Sequence, residues 1–375
     1  MGAGLVCGLG AIWPDVRSRI DIMGKFISDG LRGRLKQAAI AGGLDAALLL
    51  KSLGAMKDAA GLGVIFTLHH VRPHIPLPFE PNRHLEITPQ FLDQTIRELK
   101  AEGRIFVPLG DLPRRIFEAG SGGPRFVAFT LDDGNRNNVE HALPVFERHG
   151  VPLTIFVAKG LSERTHSMWW ETLAALFRQQ YALAFDFGEG RQQLDLSEPE
   201  AKQLAFERFA AFVRQRDEME AVSAIDALAE DHGIQPLEIV RSLIMDGQDL
   251  QRLANHPLVS LGAHTVSHRA LARLSAAEVA FEIRESLDYV SAVTGARPVT
   301  IAYPYGTADA VSAREGEIAA ALGFTVGVTT RPGTIMPAAA SMTLLPRISL
   351  NGYYQKTRYV EALASGIPMR MLGKS

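Results

Sequence analysis

Apolar positions along this chain alternate between two rhythms. Short, nearly uninterrupted runs at Gly63–Leu68, Phe126–Leu131, Leu153–Val157, Val259–Ala263 and Val299–Tyr303 read as buried strands. Between them lie stretches in which apolar residues recur at helical spacing: Phe91–Glu102, introduced by Thr88-Pro89, and Asn138–His149, closed by Gly150. Ser275–Thr294 is a third, with Ser275 placed as N-cap and Glu278 at the capping-box position. Phe106–Leu109 reads as a short extended piece and Leu112–Ala119 as a helix. Helix Ala313–Leu322 and strands Thr325–Thr329 and Thr343–Leu350 complete the series. Strand–helix alternation of this kind argues for a parallel sheet or barrel.

Two regions depart from the rhythm. Residues up to about 60 look helical and amphipathic, with Gly42-Gly43 as an expected break. From about 161 to 255 the chain opens a helix at Trp169-Trp170 and then runs rich in Ala, Glu, Arg and Leu over Pro199–Gly247, which reads as a helical insertion between two strands. The division expected is an N-terminal helical extension over 1–60 and one catalytic-type domain over 61–375.

Composition narrows the class without deciding it. At 375 residues, 47% hydrophobic and 21% charged, the chain has the balance of a soluble globular protein. Its net charge of −2 implies no broad basic surface for nucleic acid. Cys7 is the single cysteine, so neither a disulfide framework nor a cysteine-based zinc site is available. Met1–Pro14 is apolar but lacks the basic start and cleavage site of a signal peptide, and its glycines do not have dinucleotide-binding spacing. Asp45 and Lys51 break the apolar stretch Ala38–Leu53 below spanning length, leaving a packed helix or, as a lesser alternative, a membrane-surface helix. A cytoplasmic location is the expectation.

The chemistry-bearing residues stand at the ends of two predicted strands. Asp132-Asp133-Gly134 follows Phe126–Leu131, and His264-Thr265-Val266-Ser267-His268 follows Val259–Ala263. An Asp-Asp pair by itself is ordinary turn or cap chemistry. At the C-terminal ends of parallel strands, however, carboxylates and imidazoles lie on the catalytic face of α/β barrels. One Asp and two His are a donor set for a divalent ion, with the second Asp left as a base, so the pattern points to metal-assisted hydrolysis.

With Ala302-Tyr303-Pro304-Tyr305-Gly306 added, this ordered set resembles the polysaccharide deacetylase family over roughly residues 61–352. The resemblance implies a distorted (β/α) barrel of about seven strands. It also implies hydrolytic removal of N-acetyl groups from a GlcNAc-containing oligo- or polysaccharide or glycolipid precursor. By the family's pattern Asp132 is the general base, while Asp133, His264 and His268 hold a divalent metal, zinc first, with cobalt or nickel as alternatives. The backbone N–H of Tyr305 faces the oxyanion.

Two positions depart from that pattern. An Arg common two residues before the Pro is here Ala302, and Arg347, in Leu345-Pro346-Arg347-Ile348, is the candidate to supply a guanidinium to Asp132 instead. No late Leu-x-His segment follows His268. The general acid is therefore sought in Thr67-Leu68-His69-His70-Val71, which resembles the Tyr-His-x-Val segment of poly-N-acetylglucosamine deacetylases. His70 is the residue expected to act, with His69 as the alternative. Trp169 and Trp170 are either core or sugar-stacking residues. The rival readings are a metal-dependent amidase or esterase on a non-carbohydrate substrate, a non-catalytic glycan-binding protein, and an assembly partner in exopolysaccharide synthesis. The expected partner is an N-acetylated glycan; the oligomeric state stays open.

Overall fold

The computed structural model describes residues 38–118, 123–337 and 341–373. Cys7 and the Met1–Pro14 segment lie outside the described residues. Seven parallel strands form the frame: β1 (Gly63–Leu68), β2 (Phe126–Leu131), β3 (Leu153–Val157), β4 (Val259–Ala263), β5 (Thr300–Ala302), β6 (Val326–Val328) and β7 (Ile348–Ser349). Their order is β6-β5-β4-β3-β2-β1-β7. The segment entering β7 curls this sheet back on itself. Leu345 exchanges hydrogen bonds with Gly327 and Thr329 beside β6, and Leu350 N–H donates to Thr67 O of β1. The strand expected over Thr343–Leu350 therefore shrinks to Ile348–Ser349, because its first half serves one neighbour and its second half another. The result is the distorted (β/α) barrel that the family resemblance implied.

Every residue of β1, β2 and β3 is buried, which is why these strands read as continuous apolar runs rather than alternating ones. Phe66 and Phe129 stack at 5.6 Å on neighbouring strands, and Phe146 meets Phe129 edge-on at 5.3 Å. The helix Ala276–Thr294 starts at the expected cap: Ser275 Oγ accepts from Glu278 N–H, the Glu278 carboxylate accepts from Ser275 N–H, and Gly295 ends it at φ 71°. The helix expected over Asn138–His149 begins as a π-helical turn, Asn138–Ala142, before Leu143–His149.

Two local expectations are overturned. Gly42-Gly43 does not break the N-terminal helix, which runs through 38–52. Two glycines cost a helix about 2 kcal/mol. Here Leu44 and Ala47 bury against Tyr359, Ala362 and Ile367, and that packing outweighs the loss. The insertion is also not wholly helical. Between helices Trp169–Gln179 and Pro199–Gln215 it contains an antiparallel hairpin, Ala182–Asp186 with Arg191–Asp195. Its turn, Gly188-Glu189-Gly190, has φ 104° and 92° at the glycines, and Asp186 accepts from both glycine N–H groups. The insertion packs its own core, with Leu173, Phe177, Phe185, Phe209 and Ile225 at its centre. Among the described residues no helix is long and apolar enough to cross a membrane.

Candidate metal and catalytic centre

Asp132 and Asp133 leave the C-terminal end of β2 in opposite directions, since Asp133 turns into left-handed backbone at φ 74°. Asp132 meets Arg347, which precedes β7. The guanidinium is fully buried and binds the carboxylate by two parallel hydrogen bonds, Nη1 to Oδ1 and Nη2 to Oδ2, both 2.7 Å. Its remaining donors reach Thr130 Oγ1 at 3.0 Å and Thr329 O at 2.9 Å, so strands on both sides of the seam hold it. Burial pushes the Asp132 pKa up, but Arg347, by charge and hydrogen bonds, outweighs burial with help from His264 and His69, and the carboxyl stays below its ordinary value. Ala302, where an Arg was absent from the sequence pattern, offers its carbonyl to His264 instead.

Asp133 faces the two histidines. His264 follows β4, and its Nδ1–H donates to Ala302 O at 2.8 Å, which leaves Nε2 as the lone-pair atom. That Nε2 is 3.5 Å from Asp133 Oδ1, and His268 Nε2 is 3.3 Å from the same oxygen. Ligand atoms from all three residues lie within 4.8 Å of one another. Asp133 Oδ1 is buried without a hydrogen-bond partner among the described residues. A buried carboxylate oxygen facing two imidazole nitrogens and lacking a donor is a group that could hold a cation. Two neutral imidazoles and one carboxylate suit a divalent ion of borderline softness.

The histidine loop is itself strained, with Thr265 at φ 64° and His268 at φ 57°. Glu282, 2% exposed in the middle of helix Ala276–Thr294, accepts from Val266 N–H at 2.8 Å, Ser267 N–H at 2.9 Å and Ser267 Oγ at 2.5 Å. Left-handed backbone on non-glycine residues costs of order 1–3 kcal/mol each and lasts only where neighbours enforce it. Sequence reading did not single out Glu282. Its signal was a carboxylate on the apolar stripe of that helix, flanked by Val279 and Ile283.

The two candidate acids, His69 and His70, are placed differently. The structure places His69 beside Asp132, Nε2 to Oδ2 3.9 Å, with its side chain 19% exposed. His70 points away. It is 1% exposed, its Nδ1 accepts from the Asn137 amide at 2.9 Å, and burial drops its pKa to about 4. Successive residues leaving a strand face opposite sides, so the two adjacent histidines make different contacts, and His69 is the one that meets Asp132. Burial holds the His69 pKa below its ordinary value; the Asp133 and Asp132 carboxylates oppose it in part, while Arg347 and His264 add to it. The sequence reading also missed Asn135, Asn137 and Asn138. Asn138 donates to His69 O at 2.8 Å, Asn135 donates to Asp132 O at 3.2 Å, and Asn137 Oδ1 accepts from Val71 N–H at 3.0 Å. Three asparagines directly after Asp-Asp-Gly were the available signal.

Tyr305 adopts φ 59° after Pro304, and its carbonyl accepts from Thr330 Oγ1. Its N–H donates to no acceptor among the described residues. Its ring meets His268 at 5.3 Å, which puts the Pro304-Tyr305 loop on the histidine side of the centre. Trp169 and Trp170 are each only 9% exposed, with Trp169 packed on Phe206 and Trp170 5.0 Å from His268. Both belong to the buried core of the insertion, which favours the packing alternative.

A family model described as polysaccharide deacetylase matches residues 119–190 and 206–327. No curated protein sequence matches the chain. Among solved structures, a Streptococcus pyogenes deacetylase, PplD, in complex with acetate superposes with a TM-score of 0.51 at 19% identity, covering 77% of this chain and 92% of that one. IcaB from Ammonifex degensii aligns with a TM-score of 0.48 at 16% identity, over 81% and 98% of the two chains. BC0361, a polysaccharide deacetylase from Bacillus cereus, gives 0.49 at 13%, over 80% and 68%.

Proposed function

The chain belongs to the polysaccharide deacetylase family, and from that premise we propose that it is a metal-dependent hydrolase removing N-acetyl groups from a GlcNAc-containing glycan or glycolipid. The observation that carries this reading is the adjacency of two differently tuned carboxylates: Asp132 held ionised by a buried guanidinium, and Asp133 facing two imidazoles without a donor.

Asp133, His264 and His268 would hold the ion, zinc first on the chemistry of the donor set. When bound there, it supplies Lewis acidity toward an amide carbonyl and toward water. The chain's own groups do the rest. Asp132, ionised and pinned by Arg347, takes the proton from the attacking water. The free N–H of Tyr305 donates to the amide oxygen as charge develops on it. His69 gives a proton to the departing amine, so that one water and one amide become acetate and a free amino sugar.

The test is acetate release from N-acetylglucosamine oligomers by the full chain, before chelation, after chelation and after re-addition of Zn²⁺ or Co²⁺. The expected result is turnover lost on chelation and restored by either ion. Undiminished release after complete chelation would overturn the metal assignment. Release only from O-acetyl esters or simple amides would transfer the activity to another acyl substrate.

A second comparison separates the two histidines. His69→Ala is expected to lower kcat by about 10²–10⁴-fold with little change in thermal stability. His70→Asn is expected to lower stability, through the lost Asn137 contact and altered packing, while kcat of the folded fraction stays within about threefold. If His70→Asn instead shows the larger loss of kcat with its fold intact, the acid is His70.

A further inference from the structure

Glu218, Trp169 and Trp170 come from the insertion, yet all three touch the centre. The Tyr305 hydroxyl donates to Glu218 Oε1 at 2.7 Å and accepts from the Trp169 indole N–H at 3.1 Å. Burial, with Glu218 beside it, raises the phenol well above its ordinary pKa, so it remains a donor. The other oxygen of the same carboxylate, Oε2, accepts at 3.0 Å from the N–H of Ala270, two residues beyond His268. Glu218 is 6% exposed, with Arg273 3.7 Å away as its counter-charge. One carboxylate therefore joins the loop that ends in His268 to the loop that carries Tyr305, and both residues hold left-handed backbone. Such backbone persists only where the surroundings over-determine it.

We propose that Glu218 is a positioning residue for the reaction, a strut from the insertion that sets the distance between the histidine loop and the Tyr305 N–H. The insertion is then part of the active centre rather than an appended cover. The inference rests on the reading of this centre as amide-hydrolysing, because that reading gives the Tyr305 N–H its task. Small displacements of such a donor are costly in the transition state and nearly silent in ground-state binding.

The experiment compares the full chain with Glu218→Gln, Tyr305→Phe and the double variant. Acetate release from N-acetylglucosamine oligomers and Co²⁺ affinity by visible absorption are measured on each, with circular dichroism to confirm folding. Glu218→Gln is expected to lower kcat by about 10- to 100-fold with KM within about threefold, and to weaken Co²⁺ binding, because a single amide oxygen cannot accept from both the Tyr305 hydroxyl and the Ala270 N–H. Tyr305→Phe cuts the strut from the other side. It should lower kcat by a similar factor while leaving Co²⁺ affinity unchanged. The double variant should be no slower than Glu218→Gln alone, since both changes remove one connection. Unchanged kcat in either single variant, or losses that multiply in the double, overturns the strut. If the parent chain releases no acetate, the deacetylase reading fails; Co²⁺ affinity unaltered by Glu218→Gln would then independently overturn the link to the histidine loop.

Discussion

Asp132→Asn is expected to lower kcat for acetate release by about 10²–10⁴-fold, the range a positioned general base supplies. The substitution keeps the shape of the side chain and removes its basicity. It leaves Asp133, His264 and His268 intact, so Co²⁺ affinity should stay within about threefold, which separates loss of the base from loss of the metal site. A second effect follows from burial. The Arg347 fork is fully buried and meets both carboxylate oxygens. In the variant one of those positions becomes an NH₂ facing an Arg N–H, donor against donor, and the guanidinium loses its counter-charge. Breaking a buried ion pair from one side typically costs about 3–5 kcal/mol, so the variant should also unfold earlier on heating. Steady-state kinetics and calorimetry on the same preparation check both. A folded Asp132→Asn protein keeping more than about a tenth of the parental kcat would remove Asp132 from the role of base.

Arg347→Lys should be nearly as damaging, although charge is preserved. A lysine ammonium is a point charge with no planar fork, and it cannot serve both Asp132 oxygens, Thr130 Oγ1 and Thr329 O at once. We expect kcat to fall about 10- to 100-fold, as for other residues that orient a catalytic group through hydrogen bonds. Arg347→Met adds a distinguishable effect on pH dependence. Burial alone raises the Asp132 pKa, and Arg347 is the main influence opposing it. A base works only while ionised, so activity is lost as pH falls through its pKa. Without the guanidinium that pKa rises, and the acid limb of the kcat/KM profile should move to higher pH, farther in Arg347→Met than in Arg347→Lys. Identical acid limbs in the parent and the Met variant would mean that Arg347 is structural only.

What the linear chain revealed depended on how local the governing physics is. Strands β1 to β4 were legible because burial on both faces leaves uninterrupted apolar runs. The helix after Ser275 was legible because its cap is made by residues three apart. The Asp132-Asp133 and His264–His268 segments stood out because strand ends on a parallel sheet share one face, so motifs far apart in sequence could be assigned to one place. Where two local signals competed, the sequence had no way to choose. Gly42-Gly43 looked like a break until Leu44 and Ala47 found Tyr359 and Ile367 to pack against. The Gly188-Glu189-Gly190 turn was visible in the letters but was overlooked inside a helix-rich stretch.

By itself, then, the sequence carried the strand–helix alternation and brought the Asp132-Asp133 and His264–His268 segments to strand ends on one face, with Asp133, His264 and His268 as candidate donors for a cation. Only the tertiary structure decided which histidine faces the acids, because that depends on the side from which His69 leaves β1 relative to β2. It seated the Arg347 guanidinium, the candidate the sequence offered, on Asp132 across 215 residues, and it alone paired Glu218 with Tyr305 across 87. Hydrogen bonds and buried charges act over a few ångströms in space and carry no periodicity along the chain, so they become visible only when folding has brought the partners together.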